Sequence, residues 1–404
     1  MRSRKISTPP VLVGRKVEQA ELSPALGSGR PELIAIYGRR RVGKTYLIRT
    51  FFAPQLCFEI TGMRDASKAR QLEMFARVLQ SATGYRHQTP EGWSEAFQEL
   101  TRYLEERLSD GQRKVVFFDE LPWLASRRSG FLPSFEHFWN SWGSRQHNLI
   151  VVICGSAASW MIAKVLHQKG GLHNRVTRSL PLQPFRLHET EAFLRTRGIQ
   201  LDRKQIIELT MAVGGVPYYL DYVRKGRSAG QNIDAIFFAA NAPLSDEFDK
   251  LFAALFEHHE RHLKVIRALA RKQAGLTRQE LVRASHLPSG GNMTTILMEL
   301  ETSGFICRTV PFGRTMRDAS YRLIDELTLF HLRWIEGKRE ASDGDGQWIR
   351  TRSTPAWNAW SGYAFENLCL RHVPQIKKAL GIAGVQTETS SWGYKPRTAQ
   401  ESGA

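Results

Sequence analysis

Three uninterrupted apolar runs punctuate the first 160 residues: LIAIY (33–37), KVVFFDE (114–120) and NLIVVICGS (148–156). A short apolar run bounded by turn residues fits a strand buried on both faces. SLPLQPF (179–185) reads as a fourth strand. Between these runs the apolar positions change to helical spacing, at 68–83, at 91–108 and in FLPSFEHFWNSWG (131–143). A further helix is expected from about Lys44. Strands alternating with helices predict an α/β parallel sheet covered on both faces.

Beyond Phe185 the pattern becomes helical. HETEAFLRTRG and DRKQIIELTMAVGG read as two helices, followed by VPYYLDYVRKG. From 258 a different order begins: helices over 260–273, 277–285 and 292–303, then FICRTVPFG and SYRLID as a hairpin. That order is the one a winged helix has. The charged, Gly-containing EGKREASDGDGQ (336–347) reads as a linker. The predicted organisation is a polar leader (1–10), an α/β core (11–185), a helical lid (186–257), a winged helix (258–335), a linker (336–355) and a short α+β tail (356–404).

Composition changes this picture little. The 404 residues suffice for two or three domains. With 42% hydrophobic and 24% charged residues the chain is ordinary globular material. Its net charge of +18 favours polyanionic partners. The excess is spread, however: +11 over 1–257, +4 over 258–330 and +3 over 331–404. It therefore marks no docking surface. Cys57, Cys154, Cys307 and Cys369 are widely spaced, which argues against a disulfide framework or zinc site and for reduced thiols in the cytoplasm. No run approaches 18 apolar residues, so no membrane span is expected.

Chemistry enters with Gly38-Arg39-Arg40-Arg41-Val42-Gly43-Lys44-Thr45, which matches G-x-x-x-x-G-K-[ST] between an apolar strand and a helix. Gly38 and Gly43 let backbone N–H groups approach phosphate oxygens, and the helix N-terminus adds favourable dipole charge. Lys44 is expected to reach the β- and γ-phosphates, and Thr45 to place its hydroxyl on Mg²⁺. VVFFDE delivers Asp119 and Glu120 to the C-terminal end of a buried strand, where α/β sheets bind ligands. Asp119 is expected to hold Mg²⁺ through water, and Glu120 to orient the attacking water. Ser156 ends another strand; it contacts the γ-phosphate or attacking water, or it forms a simple strand-to-loop turn. Arg39, Arg40 and Arg41 touch nucleotide or a partner, or stand solvated in the loop, with Tyr46 just beyond.

YGRRRVGKTYLI, FFDELPWLA, ICGSAASWM, LPLQPF and GGVPYYL, in this order, resemble the prokaryotic P-loop ATPases described as archaeal-type, which are similar to AAA+ and STAND ATPases and to archaeal origin-recognition proteins. The resemblance covers roughly residues 11–335. It implies ATP and Mg²⁺ as cofactors, with Gly38, Gly43, Lys44 and Thr45 as Walker A, Asp119 and Glu120 as Walker B, and Ser156 at the sensor-1 position. VGRKVE (13–18) resembles the segment near the adenine base. GGVP (214–217) resembles the family's GxP turn, which would bring Pro217 near the nucleotide; packing is the other reading for both. Arg175 and Arg178 lie where related ATPases often place an arginine finger, or are ordinary surface arginines.

In the C-terminal half, Thr277 and Glu280 spell a capping box. Ser289, Asn292, Thr294 and Thr295 could face double-stranded DNA, with Arg308, Arg314 and Arg317 on the wing; otherwise the winged helix is a scaffold. WNAWSGYAFENLCLRH and ALGIAGVQTETSSWGYKP resemble the opening of a PD-(D/E)xK nuclease-like domain, with Glu366 at its first-helix glutamate. The downstream Asp and Glu-x-Lys are missing, Glu336-Gly337-Lys338 precedes the helix, and the tail reads as truncated, so nuclease activity is not expected. The resulting expectation is an ATPase whose nucleotide state is coupled to a winged helix, with a homo-oligomer as a further expectation. The alternatives are a DNA-binding regulator or defence-type switch in which ATP binding matters more than turnover, and a partner-binding scaffold.

Overall fold

A computed structural model describes residues 12–166, 172, 174–337, 346–387 and 389–390; the predicted leader and the last fourteen residues lie outside them. The chain divides into two compact units. Residues up to 197 join 216–218 in the first, and 198–215 join the residues from 219 onwards in the second.

The first unit opens with α1 (Lys16–Gly27) and then alternates: β1 (Glu32–Tyr37), α2 (Lys44–Phe51), β2 (Leu56–Thr61), α3 (Lys68–Thr83), α4 (Trp93–Leu108), β3 (Lys114–Asp119), the short α5 (Leu121–Leu124), α6 (Phe131–Ser141), β4 (Leu149–Gly155), the short α7 (Ala158–Met161), β5 (Arg178–Pro181) and α8 (Leu187–Thr196). The sheet order is β2-β3-β4-β1-β5. All its pairs are parallel, with Tyr37 opposite both Gly155 and Pro181, and Thr61 opposite Asp119. The strands' C-terminal ends therefore line one edge.

Alternation of side chains explains the continuous apolar runs. Leu33, Ala35, Val116, Phe118, Val151 and Ile153 face one layer, where α3, α4 and α6 contribute Phe75, Trp93, Phe97, Phe131 and Phe135. Ile34, Ile36, Val115, Phe117, Ile150 and Val152 face the other, against Leu22 and Ala25 of α1 and Leu47 and Ile48 of α2. Two expectations need correction. LCFEIT (56–61) is a strand that the apolar-run criterion missed, because at the sheet edge Cys57 and Glu59 are only partly covered. The fourth predicted strand is confined to Arg178–Pro181.

The second unit contains α9 (Arg203–Val213), the second half of the short α10 (Pro217–Leu220), α11 (Ala229–Ile233), α12 (Glu247–Leu255), α13 (His259–Arg271), β6 (Leu276–Thr277), α14 (Arg278–Ser285), α15 (Gly291–Thr302), β7 (Ile306–Thr309), β8 (Ser320–Leu323), α16 (Glu326–Trp334), α17 (Gln347–Thr351), α18 (Pro355–Arg371) and α19 (Val373–Ala379). Strands β6, β8 and β7 form a small antiparallel sheet in that order.

The expected linker departs from expectation where it is described. Trp348 of α17 is fully buried. Its backbone N–H donates to Asp234 (2.6 Å), and its indole N–H donates to Glu208 (3.1 Å). Its ring meets Phe330, Trp334 and Trp360 at centroid distances of 4.9, 5.7 and 5.6 Å. Sequence reading weighted the charge and Gly of 336–347 and passed over the Trp that follows. The tail's described elements are helices only; among the described residues after 355 there is no strand.

The capping box of α14 forms. Glu280 accepts from the Thr277 N–H (2.8 Å) and hydroxyl (3.0 Å) and from Lys272 (3.0 Å). These contacts, the backbone one foremost, hold its carboxyl down at about 2. Because the folded value lies below the unfolded one, the contribution is complete above the unfolded carboxylate range and fades as pH falls towards 2. Glu280→Gln is expected to lower stability at neutral pH by about 0.5–1 kcal/mol, since the carboxylate is largely solvent-screened. The gap to the parent should close with acidification, as read by thermal unfolding from pH 7 to pH 3.

Candidate active site

The loop after β1 is shaped by two backbone requirements. Gly38 has φ 147°, and a Cβ there would lie 2.3 Å from the Leu182 carbonyl oxygen. Gly43, at φ 91°, caps α2 in the left-handed region, where a side chain would be strained. Val42 is fully buried in the α1–α2 layer. The loop's N–H groups and the start of α2 thus lie at the C-terminal edge of the sheet.

Lys44, 6% exposed, donates to the carbonyls of Gly38 (2.9 Å) and Arg39 (2.9 Å). Its ammonium is folded back over the loop. Thr45 donates its hydroxyl to Asp119 Oδ2 (2.8 Å), which ties the first residues of α2 to the end of β3. Asp119 is buried, and burial pushes its carboxyl up; hydrogen bonds from Thr45 and Cys154 oppose the shift, and the charge of Glu120 adds to it. A cation beside Asp119 would favour its ionised form. Hydroxyl and carboxylate are hard oxygen donors, and magnesium characteristically takes one or two protein oxygens and leaves its other positions to water and phosphate. The pair fits that ion.

Glu120 sits in the left-handed region (φ 47°), where a non-glycine residue carries strain, and its N–H donates to Asp119 Oδ1 (2.9 Å). Its Oε2 accepts from both the N–H (3.1 Å) and the hydroxyl (2.8 Å) of Ser156. Ser156 therefore does more than end a strand. It fixes the Glu120 carboxylate between β3 and β4.

The loop arginines are not simply solvated. Arg39 is 4% exposed. Arg40 lies over Trp123 (5.7 Å to the ring centroid) and Arg41 over Tyr218 (4.1 Å). Tyr46 is half-exposed on α2. Pro217 reaches the loop: its Cγ is 3.9 Å from where a Cβ on Gly43 would stand.

The two finger candidates are not brought to this edge. Arg178 pairs with Glu32 (3.7 Å) and donates to the Glu21 carbonyl (3.2 Å). Glu32 begins β1, so Arg178 lies at the opposite end of the strands. Arg175 is exposed and precedes β5 on that same side. Neither approaches Lys44 or Glu120 within the chain.

Arg15 is a residue that sequence reading left unassigned. It is 3% exposed. Its guanidinium donates to the carbonyls of Val42 (2.8 Å) and Gln183 (2.6 Å) and to Glu18 (3.1 Å), and it lies over Phe185 (4.6 Å). Its own N–H donates to Glu189 (2.7 Å). Burial pulls its pKa down, and the charges of Glu18 and Glu189 oppose that. VGRKVE resembles the segment near the adenine base, with packing as the other reading, and its arginine packs against the loop at Val42. The only sequence signal was a cation in an apolar segment. Arg15→Ala is expected to cost about 3–5 kcal/mol, the scale for breaking a buried charge pair. Arg15→Lys should rescue little, because a lysine cannot reproduce the fork. Urea unfolding measures both.

In the second unit, Asn292, Thr294 and Thr295 are exposed on α15 while Met293, Ile296, Leu297 and Leu300 are buried. Ser289, before α15, accepts from Arg278 (3.3 Å). Arg314 and Arg317 are exposed between β7 and β8, and Arg308, exposed on β7, pairs with Glu301 (3.6 Å). Glu366 is bound by both Arg322 nitrogens (2.7 and 2.9 Å), which hold its carboxyl below the usual range. The glutamate matched to a nuclease is thus an ion-pair partner here. Among the described residues no three His, Cys, Asp or Glu side chains converge as a metal site, and no helix is long and apolar enough to cross a membrane.

The model of a family described as an ATPase domain predominantly from Archaea matches residues 12–223, more than half of the chain. The chain belongs to this family. It is an ATPase with the α/β fold of P-loop NTPases. The Walker-type ATPase of Pyrococcus abyssi is similar in structure, with TM-score 0.57 and 20% identity over 80% of this ATPase and 96% of that chain. The ORC2 protein of Aeropyrum pernix, solved with ADPNP and ADP, gives TM-score 0.49 and 17% identity over 84% and 97%. An uncharacterised protein of Methanocaldococcus jannaschii is 23% identical over 91% of this ATPase and 78% of its own length.

Proposed function

We propose that the ATPase hydrolyses ATP with magnesium at the edge formed by residues 38–45, Asp119, Glu120 and Ser156. The observation that carries this reading is the Glu120 carboxylate held by Ser156 beside the Thr45–Asp119 pair. The loop N–H groups and Lys44 bind phosphate oxygens, Lys44 exchanging two carbonyl acceptors for charged ones. Thr45 and Asp119 would hold Mg²⁺, which would neutralise phosphate charge. Glu120 orients the attacking water and accepts its proton, and Ser156 sets the carboxylate's position. Pro217 and Tyr218 carry the state of the loop to the segment that follows. We further propose that Arg175, which is exposed, serves the site of a second copy in a homo-oligomer. Release of phosphate from MgATP by the purified chain tests the reading; no release above background would end it.

Residues 258–335 support a second step. The order α13, β6, α14, α15 and hairpin reads as a winged helix. The polar Asn292, Thr294 and Thr295 on one face, with Arg308, Arg314 and Arg317 on the hairpin, suit duplex DNA. Nucleotide state then governs DNA binding. A salt titration of duplex affinity should give a negative slope that Arg314→Ala with Arg317→Ala reduces by about two. A slope unchanged by the pair returns the module to a scaffold role.

A further inference from the structure

The second unit carries a basic surface on α9 and on the turn that leads into α11. Arg203 and Lys204 stand in the first turn of α9, and Arg224, Lys225 and Arg227 stand in the turn. All five side chains are exposed, and none forms a salt bridge among the described residues. Over residues 198–232 the exposed carboxylates beside them are Asp202 and Asp221. The remaining carboxylate of that stretch, Glu208, is buried and held by Arg352 (3.1 Å). The α9 helix dipole already favours anions where Arg203 and Lys204 stand, so these cations do not serve helix stability.

The arrangement is fixed from beneath. Asn232 of α11 is fully buried, and its side-chain oxygen accepts from the Arg224 N–H (2.7 Å). Its amide nitrogen donates to the carbonyls of Arg227 (3.2 Å) and Ser228 (3.0 Å). Gly226, at φ 81°, supplies the left-handed residue between Lys225 and Arg227. The Gln205 side chain, in the first turn of α9, accepts from the Ala229 N–H (3.0 Å) and ties the two segments together. A buried amide thus holds a turn whose charged side chains face water.

The chemistry of the surface narrows its partner. Five cations beside two exposed carboxylates attract a polyanion. No large apolar side chain is exposed in 198–215 or 219–232, so the surface has no group to enter a bilayer. For the same reason it offers no open ring on which the bases of a single strand could stack. The phosphate backbone of a duplex needs neither, because cations contact it whatever the base sequence.

We propose that this surface docks on the phosphate backbone of double-stranded DNA without reading its sequence. Arg203, Lys204, Arg224, Lys225 and Arg227 meet phosphates and release their counterions. The five residues lie outside 258–335, so the surface itself does not depend on the winged-helix reading; the choice of DNA over RNA rests on it.

The test measures affinity of the full chain for a fluorescent DNA duplex between about 50 and 200 mM salt. Replacing Arg224, Lys225 and Arg227 together with Ala should lower the slope of log affinity against log salt by about two to three, and weaken binding at least about tenfold at the lower salt. Arg203→Ala with Lys204→Ala should lower the slope by about two. A duplex of unrelated sequence should show the same losses. Both sets are also made in the chain carrying Arg314→Ala and Arg317→Ala, where the same decrements are expected. A slope unmoved by the hairpin pair counts against the winged helix alone, and a slope unmoved by the triple substitution overturns the present proposal alone. All the replaced side chains are exposed, and thermal unfolding at the parent's temperature shows that the variants fold. A duplex of RNA, a single DNA strand and phosphatidylcholine–phosphatidylserine vesicles are the comparison probes. Absence of duplex DNA binding, or a comparison probe that binds more tightly than duplex DNA and is lost on the triple substitution, would also overturn the proposal.

Discussion

Replacing Glu120 with Gln is expected to lower phosphate release about 10²- to 10⁴-fold while MgATP still binds, the range associated with loss of a positioned proton acceptor. The substitution is nearly isosteric. The amide oxygen can still accept from the Ser156 hydroxyl, now 2.8 Å from Oε2, so the geometry between β3 and β4 survives. What disappears is the capacity to take a proton from water. The left-handed backbone at residue 120 is already strained in the parent and is unchanged by the substitution. Single-turnover phosphate release and nucleotide affinity, measured together, separate the steps. Equal release rates in the two proteins would remove Glu120 from the chemistry. Ser156→Ala supplies the companion measurement: it leaves the carboxylate in place but unheld, and a smaller loss, on the order of tenfold, is expected from mispositioning.

The second large effect belongs to Lys44. Its ammonium is buried and satisfied by the carbonyls of Gly38 and Arg39, both contributed by the loop it serves. A nucleotide's phosphates offer stronger, charged acceptors at the same place. Lys44→Ala should therefore weaken ATP binding by about 2–5 kcal/mol, the cost of truncating one partner of a buried charge pair. That is roughly 30- to 5,000-fold in affinity. Calorimetric titration with MgATP measures it, and thermal unfolding of the free chain controls for the two lost carbonyl contacts. A change of less than about threefold in affinity would place the phosphates elsewhere.

Much of this was legible in the chain because the relevant physics is local. β1, β3 and β4 are buried on both faces, so they appear as unbroken apolar runs, and the glycines, lysine and acidic pair sit at fixed offsets from them. β2 was harder to see because an edge strand needs only partial cover, and Cys57 and Glu59 interrupt its run. The brace formed by Arg15 was illegible for a different reason. Its partners Val42, Gln183 and Glu189 are 27 to 174 residues away, and no spacing rule connects them. Trp348 and Glu208, 140 residues apart, pose the same problem. The loop arginines were open between contact and solvation because a charged residue in a turn ordinarily faces water; the rings of Trp123 and Tyr218, against which two of them lie, are 83 and 177 residues away and no spacing rule connects them.

The two layers of the sheet differ in what they are made of, and that difference bears on how the sequence can vary over evolutionary time. The layer behind α3, α4 and α6 is a mesh of rings, with Phe97 alone meeting Trp93, Phe118, Phe131, Phe135 and Phe138 at 5.1 to 6.2 Å. Losing one ring there costs about 3–5 kcal/mol, and few substitutes match its shape. The layer behind α1 and α2 is mainly branched aliphatics, where exchanges among Ile, Val and Leu cost less than about 1.5 kcal/mol. Variation should therefore accumulate on the phosphate-loop side of the sheet, while the face remote from α2 changes slowly and records ancestry longest.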